Sequence, residues 1–190
     1  MILPLKSFYF IRHGETDWNK RNIIMGSIDV PLNDFGIKQA HHAAVILQKE
    51  NFDIIISSPR NRALKTAEII ADQVKIQKPI MIDARIVERE WGEAEGKVAD
   101  PTKNLFDDAD TPNDAETFSV FKMRIIDAIS QILHGAQCPL IVSHGGVFKV
   151  LADSLGYTKL QASNCDLFLF KPPAQETHSW QVCNLNYISS

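Results

Sequence analysis

The stretch FYFIRHGETDWN, Phe8 to Asn19, decides the interpretation of this chain, because an apolar run typical of a buried strand ends in two cationic side chains. A strand in the middle of a sheet usually leaves into a turn chosen for backbone geometry, and Gly14 alone would supply such a turn. Arg12 and His13 therefore need another explanation, which a ligand at the end of the strand would provide.

Apolar runs of strand length alternate with longer segments of helical period, which is typical of an α/β protein with a largely parallel sheet. Strands are predicted at residues 8–11, 53–56, 79–82, 139–143, 165–170 and 179–183. Helices are predicted after the cap Asn33, from Asn61 to Val74, from Phe118 to Ile132 and from Val147 to Leu155. Pro79 predicts an edge position for the third strand, and the last two strands are expected to form an antiparallel hairpin. The expected architecture is a three-layer α/β/α sandwich.

The stretch from Arg85 to Asp114 interrupts this alternation. It is rich in Gly, Asp and Pro and too polar for a core element, so it predicts a loop or a small lid over one end of the sheet. The chain shows neither an internal repeat nor a linker, and its 190 residues suit one core. We therefore expect a single domain over residues 1–190, with the lid at about residues 85–114.

Composition and charge restrict the partners of the chain. The net charge of −3 gives no basic surface for a nucleic acid. The three cysteines are widely spaced and odd in number, which argues against a disulfide framework and against a zinc knuckle. Neither a secretory leader nor an apolar run long enough to cross a bilayer is present, so we expect a cytoplasmic protein without membrane contact. Composition leaves the oligomeric state open.

Polar clusters directly follow three of the predicted strands. They are Arg12-His13-Gly14, Ser57 to Arg62, and Ser143 to Gly146. Ligands of open α/β sheets bind outside the carboxyl ends of the parallel strands, so the clusters are expected to converge. Arginine forks, together with backbone N–H groups of the helices that begin after Pro59 and Gly146, suit a phosphate. A metal is a poor alternative, because the arginines oppose a cation and no metal-ligand spacing is present.

A series of blocks in this sequence resembles one known family. RHGETDWN is similar to the nucleophile motif of the histidine phosphatase superfamily, the clan of phosphoglycerate mutase and its cofactor-independent phosphatase relatives. GSIDVPLNDFGIKQA, SSPRNRALKTA, EREWGEAEG and SHGG follow in the family's order, and the resemblance extends to about Gly146. It implies a phosphoglycerate mutase-like fold and a phosphomonoesterase of the histidine acid phosphatase type that acts on a small phosphorylated metabolite.

The resemblance also implies roles for seven residues. His13 would be the nucleophile, Glu88 the acid and base, and the phosphate would be bound by Arg12, Asn19, Arg62, His144 and Gly145. The role of His13 as nucleophile also has independent chemical support. An imidazole must be neutral to attack phosphorus, and neighbouring arginines disfavour its protonated form. A phosphohistidine formed in this way needs no metal, nucleotide or organic cofactor.

Several positions depart from the family pattern or stay ambiguous. Arg60 stands where an apolar residue is common, and it would either add positive charge near the pocket or face solvent. Asp114 to Thr117 replaces a Gly-Glu-Ser, which leaves the role of Glu116 open. Glu90 is the next candidate acid if Glu88 does not serve. Three aromatic side chains could contact the organic part of a substrate, namely Trp18, Trp91 and Phe106.

Three functions are compatible with these residues: a hydrolase, a phosphoglycerate mutase-type isomerase, and a non-catalytic phospholigand-binding module. The short stretch between Gly96 and Asp114 disfavours the mutase, because similar mutases carry a larger basic insertion there. The presence of both the nucleophile and the acid candidate disfavours the binding module. The acidic run from Asn104 to Glu116 predicts repulsion of a second phosphate at the pocket, and the alternative is a solvated loop that faces away.

Overall fold

Six strands form one mixed sheet in the computed structural model, which describes residues 3–102, 106–112, 114–174 and 179–187. The strands are β1 (Phe8–Arg12), β2 (Ile54–Ser57), β3 (Met81–Ile82), β4 (Pro139–Ser143), β5 (Leu167–Lys171) and β6 (Gln181–Asn184). Their order is β3-β2-β4-β1-β5-β6, with the first four parallel and the last two antiparallel to their neighbours. The predicted hairpin and the edge position of β3 are confirmed, although β3 is shorter than predicted.

Helices cover both faces of this sheet. The described residues contain α1 (Asp17–Lys20), α2 (Asp34–Leu47), α3 (Asn61–Val74), α4 (Phe118–Gly135) and α5 (Gly145–Ser154), with single 3₁₀ turns at Ala84–Ile86, Gly92–Ala94, Asp108–Asp110 and Leu185–Tyr187. The sequence analysis missed α1, because four residues are too few to show a helical period. No helix in the described part of the chain is both long enough and apolar enough to span a bilayer.

The alternation of side chains along β1 explains the three layers. Phe8 and Phe10 point into a core cluster formed with α4 and α5, whereas Tyr9 and Ile11 point into a second cluster formed with α2 and α3. All four side chains are at most 5% exposed, as expected for a strand covered on both faces. The predicted α/β/α sandwich is confirmed.

Stacked aromatic rings fix α5 against the middle of the sheet. Phe8 stacks on Phe170 with ring centroids 4.5 Å apart, which joins β1 to β5. Phe148 of α5 lies 4.3 Å from Phe168 and 5.5 Å from Phe10. Such pairs stabilise a core beyond the burial of their area. This contact determines where α5 begins, and therefore where the residues just after β4 lie.

A close backbone approach fixes the loop after β1. Asn33 caps α2 as predicted, because its side chain accepts a hydrogen bond from the N–H of Gly36. A Cβ on Gly14 would lie 2.5 Å from the carbonyl oxygen of Gly36, and a Cβ on Gly36 would lie 2.1 Å from that of Glu15. Only glycines allow the start of α2 to contact this loop so closely.

The stretch from Arg85 to Asp114 is irregular as expected, but the prediction that it is too polar to join the core is wrong in part. Ile86 and Arg89 are fully buried. The Arg89 guanidinium lies 4.5 Å from the centre of the Trp91 ring and donates a hydrogen bond of 2.7 Å to the carbonyl of Glu116. Burial is tolerated because the charge is both stacked and hydrogen-bonded, which composition alone does not reveal.

Candidate active site

Neighbouring parallel strands bring the two histidines of the motifs together. Arg12 lies opposite Ser143 in the β1–β4 register, and the N–H of His13 continues the ladder by donating to the carbonyl of Ser143 at 2.9 Å. The next residues, His13 and His144, therefore leave the sheet side by side, with ring centroids 5.3 Å apart. The predicted convergence of these two strand ends is observed.

A cavity of about 280 Å³ opens at this end of the sheet. Six of the seven predicted site residues line it, namely Arg12, His13, Asn19, Arg62, Glu88 and Gly145. The seventh, His144, is fully buried beside His13. The structure thus brings the predicted residues to one place, while their roles stay predictions.

The imidazole of His13 has a defined tautomer. Its Nδ1 lies 2.7 Å from the carbonyl oxygen of Gly14, and a carbonyl can only accept, so Nδ1 carries the proton. The lone pair is therefore on Nε2. Burial, reinforced by the positive charges of Arg62 and Arg12, lowers the pKa of His13 well below the ordinary value. The ring is neutral at physiological pH, as a nucleophile must be.

Backbone carbonyls hold the two arginines. Arg12 donates from Nη1 to Ala162 at 2.8 Å, and Arg62 donates to Gly26 at 2.9 Å and to Ile28 at 3.0 Å. Burial lowers the pKa of Arg62 to about 10, which still leaves it charged at neutral pH. The pKa of Arg12 is lowered by burial as well. Both cations are thus partly desolvated, and the Asp29 carboxylate approaches Nη1 of Arg62 to 3.7 Å.

Three buried side-chain nitrogens near His13 have no hydrogen-bond partner among the described residues. They are Nε of Arg12, Nε of Arg62 and Nδ1 of His144. His144 uses its other ring nitrogen, Nε2, with the hydroxyl of Ser58 at 2.8 Å. Burial, followed by the charge of Arg62, lowers the pKa of His144 well below the ordinary value. Each unpaired buried group costs about 1–3 kcal/mol, so an anion with several acceptor oxygens would be favoured here.

Asn164, which sequence analysis missed, orients the amide of Asn19. The Oδ1 atom of Asn19 accepts from the N–H of Thr16 at 3.2 Å and from Nδ2 of Asn164 at 3.1 Å. Asn164 also donates to the carbonyl of His13 at 3.0 Å. With its oxygen engaged, Asn19 can offer its NH₂ group to the cavity. No local motif signals this contact, because the two asparagines are 145 residues apart.

The Glu88 carboxylate lies against the start of α5. One oxygen accepts from the N–H of Gly146 at 3.0 Å, and the other accepts from the N–H of Arg89 at 2.9 Å. A Cβ on Gly146 would lie 2.1 Å from Oε1 of Glu88, so the second glycine of SHGG makes this approach possible. Glu90 and Glu93 are exposed, whereas Glu88 lines the cavity.

At each of the two helix N-termini that were expected to suit a phosphate, one backbone N–H is engaged by a carboxylate. The N–H of Asn61, at the start of α3, donates to Asp29 at 2.9 Å. The N–H of Gly146 donates to Glu88 at 3.0 Å. Helix N-termini attract any nearby anion, and here the chain supplies its own.

The outer half of the cavity has one apolar wall. Ile23, Ile24, Met25, Trp91 and Phe106 line it, whereas Trp18 does not. Lys149, Gln161 and Ala162 also line the cavity. Sequence analysis identified the two aromatic residues but missed the others. The apolar run Ile23 to Met25 within a loop was the available signal.

The described carboxylates of the acidic run do not line the cavity, although Phe106 of the same run does. Asp107 caps the turn Asp108–Asp110, and Asp108 accepts from the hydroxyl of Ser119 at 2.8 Å. Glu116 forms a paired contact with Arg124 at 2.9 and 2.7 Å. These local contacts favour the alternative of a loop that faces away, and the repulsion of a second phosphate by this run stays a prediction.

Arg60 lies outside the lining of the cavity. It is half-buried at the N-cap of α3, yet its charge contributes to lowering the pKa of His144. Among the described residues, no three His, Cys, Asp or Glu side chains are grouped as a metal would require. The donors that do converge are cationic or neutral, which suits an anion.

The chain is an α/β sandwich that places imidazole and guanidinium groups at the carboxyl ends of its parallel strands, where proteins of this architecture bind their ligands. The charge of these groups is typical of a class of proteins that bind anions. The family model for the histidine phosphatase superfamily (branch 1) matches residues 8–174. This chain belongs to that family.

Individual relatives include both phosphatases and mutases by name. The chain is 32% identical over 157 residues to the uncharacterized phosphatase PhoE of Bacillus subtilis, covering 80% of each chain. It is 31% identical over 178 residues to the probable phosphoglycerate mutase GpmB of Yersinia pestis, covering 84% of this chain and 81% of that one. A phosphoserine phosphatase mutant from Entamoeba histolytica, solved in complex with phosphoserine, superposes with a TM-score of 0.77 at 26% identity, covering 94% and 95% of the two chains.

The two buried histidines predict a pH-dependent stability. Because the pKa of each is lowered on folding, the unfolded chain binds protons below about pH 6.5 that the folded chain does not. The free energy of unfolding should therefore fall as pH decreases from 7.5 to 5.5, by up to about 1.4 kcal/mol per pH unit for each histidine. Urea unfolding at several pH values measures this slope. The double variant His13→Gln, His144→Gln should have a flatter slope, and an equal slope would contradict the assignment.

Proposed function

We propose that this protein hydrolyses phosphomonoesters through a phosphohistidine on Nε2 of His13. The observation that carries the proposal is a set of three buried side-chain nitrogens beside His13 without a partner: the donors Nε of Arg12 and Nε of Arg62, and Nδ1 of His144. A phosphoryl group brings equatorial oxygens that would satisfy such donors, and their charge would stabilise its transition state.

In the first half-reaction, Nε2 of His13 attacks phosphorus and an N–P bond forms. The ester P–O bond breaks, and Glu88, protonated at the start, gives its proton to the departing alcohol oxygen. Arg12, Arg62, His144, Gly145 and the amide of Asn19 bind the phosphoryl oxygens during transfer. His13 needs no base, because its lone pair is already free to attack.

In the second half-reaction, the Glu88 carboxylate takes a proton from a water molecule, whose oxygen attacks phosphorus. The N–P bond breaks, inorganic phosphate leaves, and the lone pair returns to Nε2. Glu88 ends protonated, as it began. The hydrogen bonds from Gly146 and Arg89 hold the carboxylate at the cavity edge for both steps. One carboxyl group therefore serves as both acid and base.

A phosphoglycerate mutase is the second candidate, and the name of the Yersinia relative favours it. A mutase must retain a doubly phosphorylated intermediate, which requires cations beyond those that bind the transferred phosphate. In the described part of the cavity, Lys149 is the one such cation, and its ammonium lies 2.5 Å from Asp153. This supports hydrolysis. Incubation with 3-phosphoglycerate should release inorganic phosphate rather than form 2-phosphoglycerate.

His13→Ala should lower phosphatase activity at least about 1000-fold while the protein stays folded, because the nucleophile is lost from the end of a strand. Rapid quenching of the wild-type protein with labelled substrate should trap an acid-labile, base-stable phosphoramidate. His42→Ala, at an exposed position of α2, is the matched control and should keep the label. Label on serine or cysteine, or turnover by a folded His13→Ala variant, would refute the mechanism.

Gly146→Ala should displace the Glu88 carboxylate without unfolding the protein, since the new Cβ would meet the end of a flexible side chain. Like Glu88→Gln, it should slow alkyl phosphates about 100-fold but nitrophenyl phosphate far less, because nitrophenolate needs no protonation to leave. Gly135→Ala, where a Cβ meets nothing within 4 Å, is the control. Equal losses on both substrates would assign the acid role elsewhere.

Activity should persist in excess EDTA, because guanidinium and imidazole groups supply the positive charge that a metal supplies in other phosphatases. The measurement is the steady-state rate before and after prolonged chelation. Inactivation by EDTA that Zn²⁺ or Mg²⁺ reverses would contradict this expectation.

A further inference from the structure

The outer half of the cavity must hold the alcohol part of any phosphomonoester whose phosphate contacts Arg12 and Arg62. Apolar side chains form one of its walls, with Trp91 and Phe106 as the largest. Apart from Arg12 and Arg62, Lys149 is the one cation among the described residues that line the cavity. The state of this lysine therefore determines which chemical group can be accommodated beside the phosphate.

The Lys149 ammonium is already engaged. Its Nζ lies 2.5 Å from Oδ1 of Asp153, one turn further along α5, and donates to the carbonyl of Thr158 at 3.0 Å. The two side chains are 18% and 23% exposed, so the pair is shielded from solvent for most of its surface. Asp153 does not line the cavity.

Helix stability does not explain this pair. Asp153 lies in the last turn of α5, where the negative end of the helix dipole disfavours a carboxylate. The order of the pair, with the base before the acid, is also the weaker one for stabilising a helix. What the carboxylate does accomplish is to cancel the charge of Lys149 at the cavity.

We infer that the preferred substrate is a phosphomonoester of an uncharged, partly apolar alcohol or phenol, and that Asp153 is the specificity-determining residue, because it keeps Lys149 engaged. The inference rests on the proposed hydrolysis and specifies its substrate class. A carboxylate or second phosphate on the alcohol would have to displace Asp153 from Lys149 and would meet its negative charge. An apolar group meets no such cost and packs against Trp91 and Phe106.

The test compares two matched substrate pairs, 4-methylphenyl phosphate with 4-carboxyphenyl phosphate, and glycerol 1-phosphate with 3-phosphoglycerate. For each pair, the ratio of kcat/KM for the carboxylated member to that for the neutral member is measured in the wild type, Asp153→Asn, Asp153→Glu and the double variant Asp153→Asn, Lys149→Met. Differences in leaving-group reactivity cancel when this ratio is compared between variants.

The wild-type protein should favour the neutral member of each pair. Asp153→Asn should raise the ratio about threefold to tenfold, the range expected for a partly buried charge pair released to a new partner. Asp153→Glu, which retains the carboxylate, should keep the wild-type ratio, and the double variant should lose the gain because the freed ammonium is absent. If Asp153→Asn does not fold, Asp153→Ser takes its place with the same expectation.

A wild-type preference for the carboxylated members, an unchanged ratio in a folded Asp153→Asn or Asp153→Ser variant, or a gain that survives in the double variant would overturn the inference. In each of these cases turnover of 4-methylphenyl phosphate leaves the proposed function intact. If the wild-type protein hydrolyses no phosphomonoester at all, the proposed function fails and this inference fails with it.

Discussion

The parallel pairing of β1 with β4 is the constraint on which the site depends. Arg12 faces Ser143 across the ladder, so the chain leaves each strand at the same height with a histidine next in line. Shifting the pairing by one residue would turn one strand's side chains to the other face and separate the imidazoles. The aromatic contacts of Phe148 resist such a shift, because they tie α5, which begins directly after His144, to β1 and β5.

The buried cations are held in an arrangement that favours an anion. The hydrogen bonds of the two nearby carboxylates go to the backbone: Glu88 accepts from two N–H groups and Asp29 accepts from that of Asn61, although Asp29 also lies 3.7 Å from Nη1 of Arg62. The hydrogen bonds that anchor the arginines go to carbonyl oxygens, which fix their position without neutralising their charge. The desolvated charges lower the stability of the protein locally, but they leave a site that is already arranged before a ligand enters.

Much of this could be predicted from the sequence, because strand periodicity and the polar clusters at strand ends are local signals. These signals correctly indicated the sheet, the convergence of His13 with His144, and the helix capped by Asn33. The burial of Arg89 and the Asn164–Asn19 contact were missed, since they depend on tertiary packing. The Lys149–Asp153 pair is a local contact within one helix, but its position beside the cavity depends on how α5 packs. The local contacts of the acidic run were missed as well, because a cluster of aspartates in a sequence does not show which of them are caps.

The hydrogen bond from Nδ1 of His13 to the carbonyl of Gly14 has a consequence for how the site can evolve. The carbonyl of Gly14 belongs to the main chain, so a substitution of a side chain does not remove it. The tautomer of His13 is therefore retained under substitutions that would remove an aspartate side chain in the same orienting role. Its vulnerable point is the backbone path, which Gly14 and Gly36 define by their close approach. Drift in the surrounding side chains can therefore alter what the cavity accepts while the ring that faces it keeps its protonation pattern.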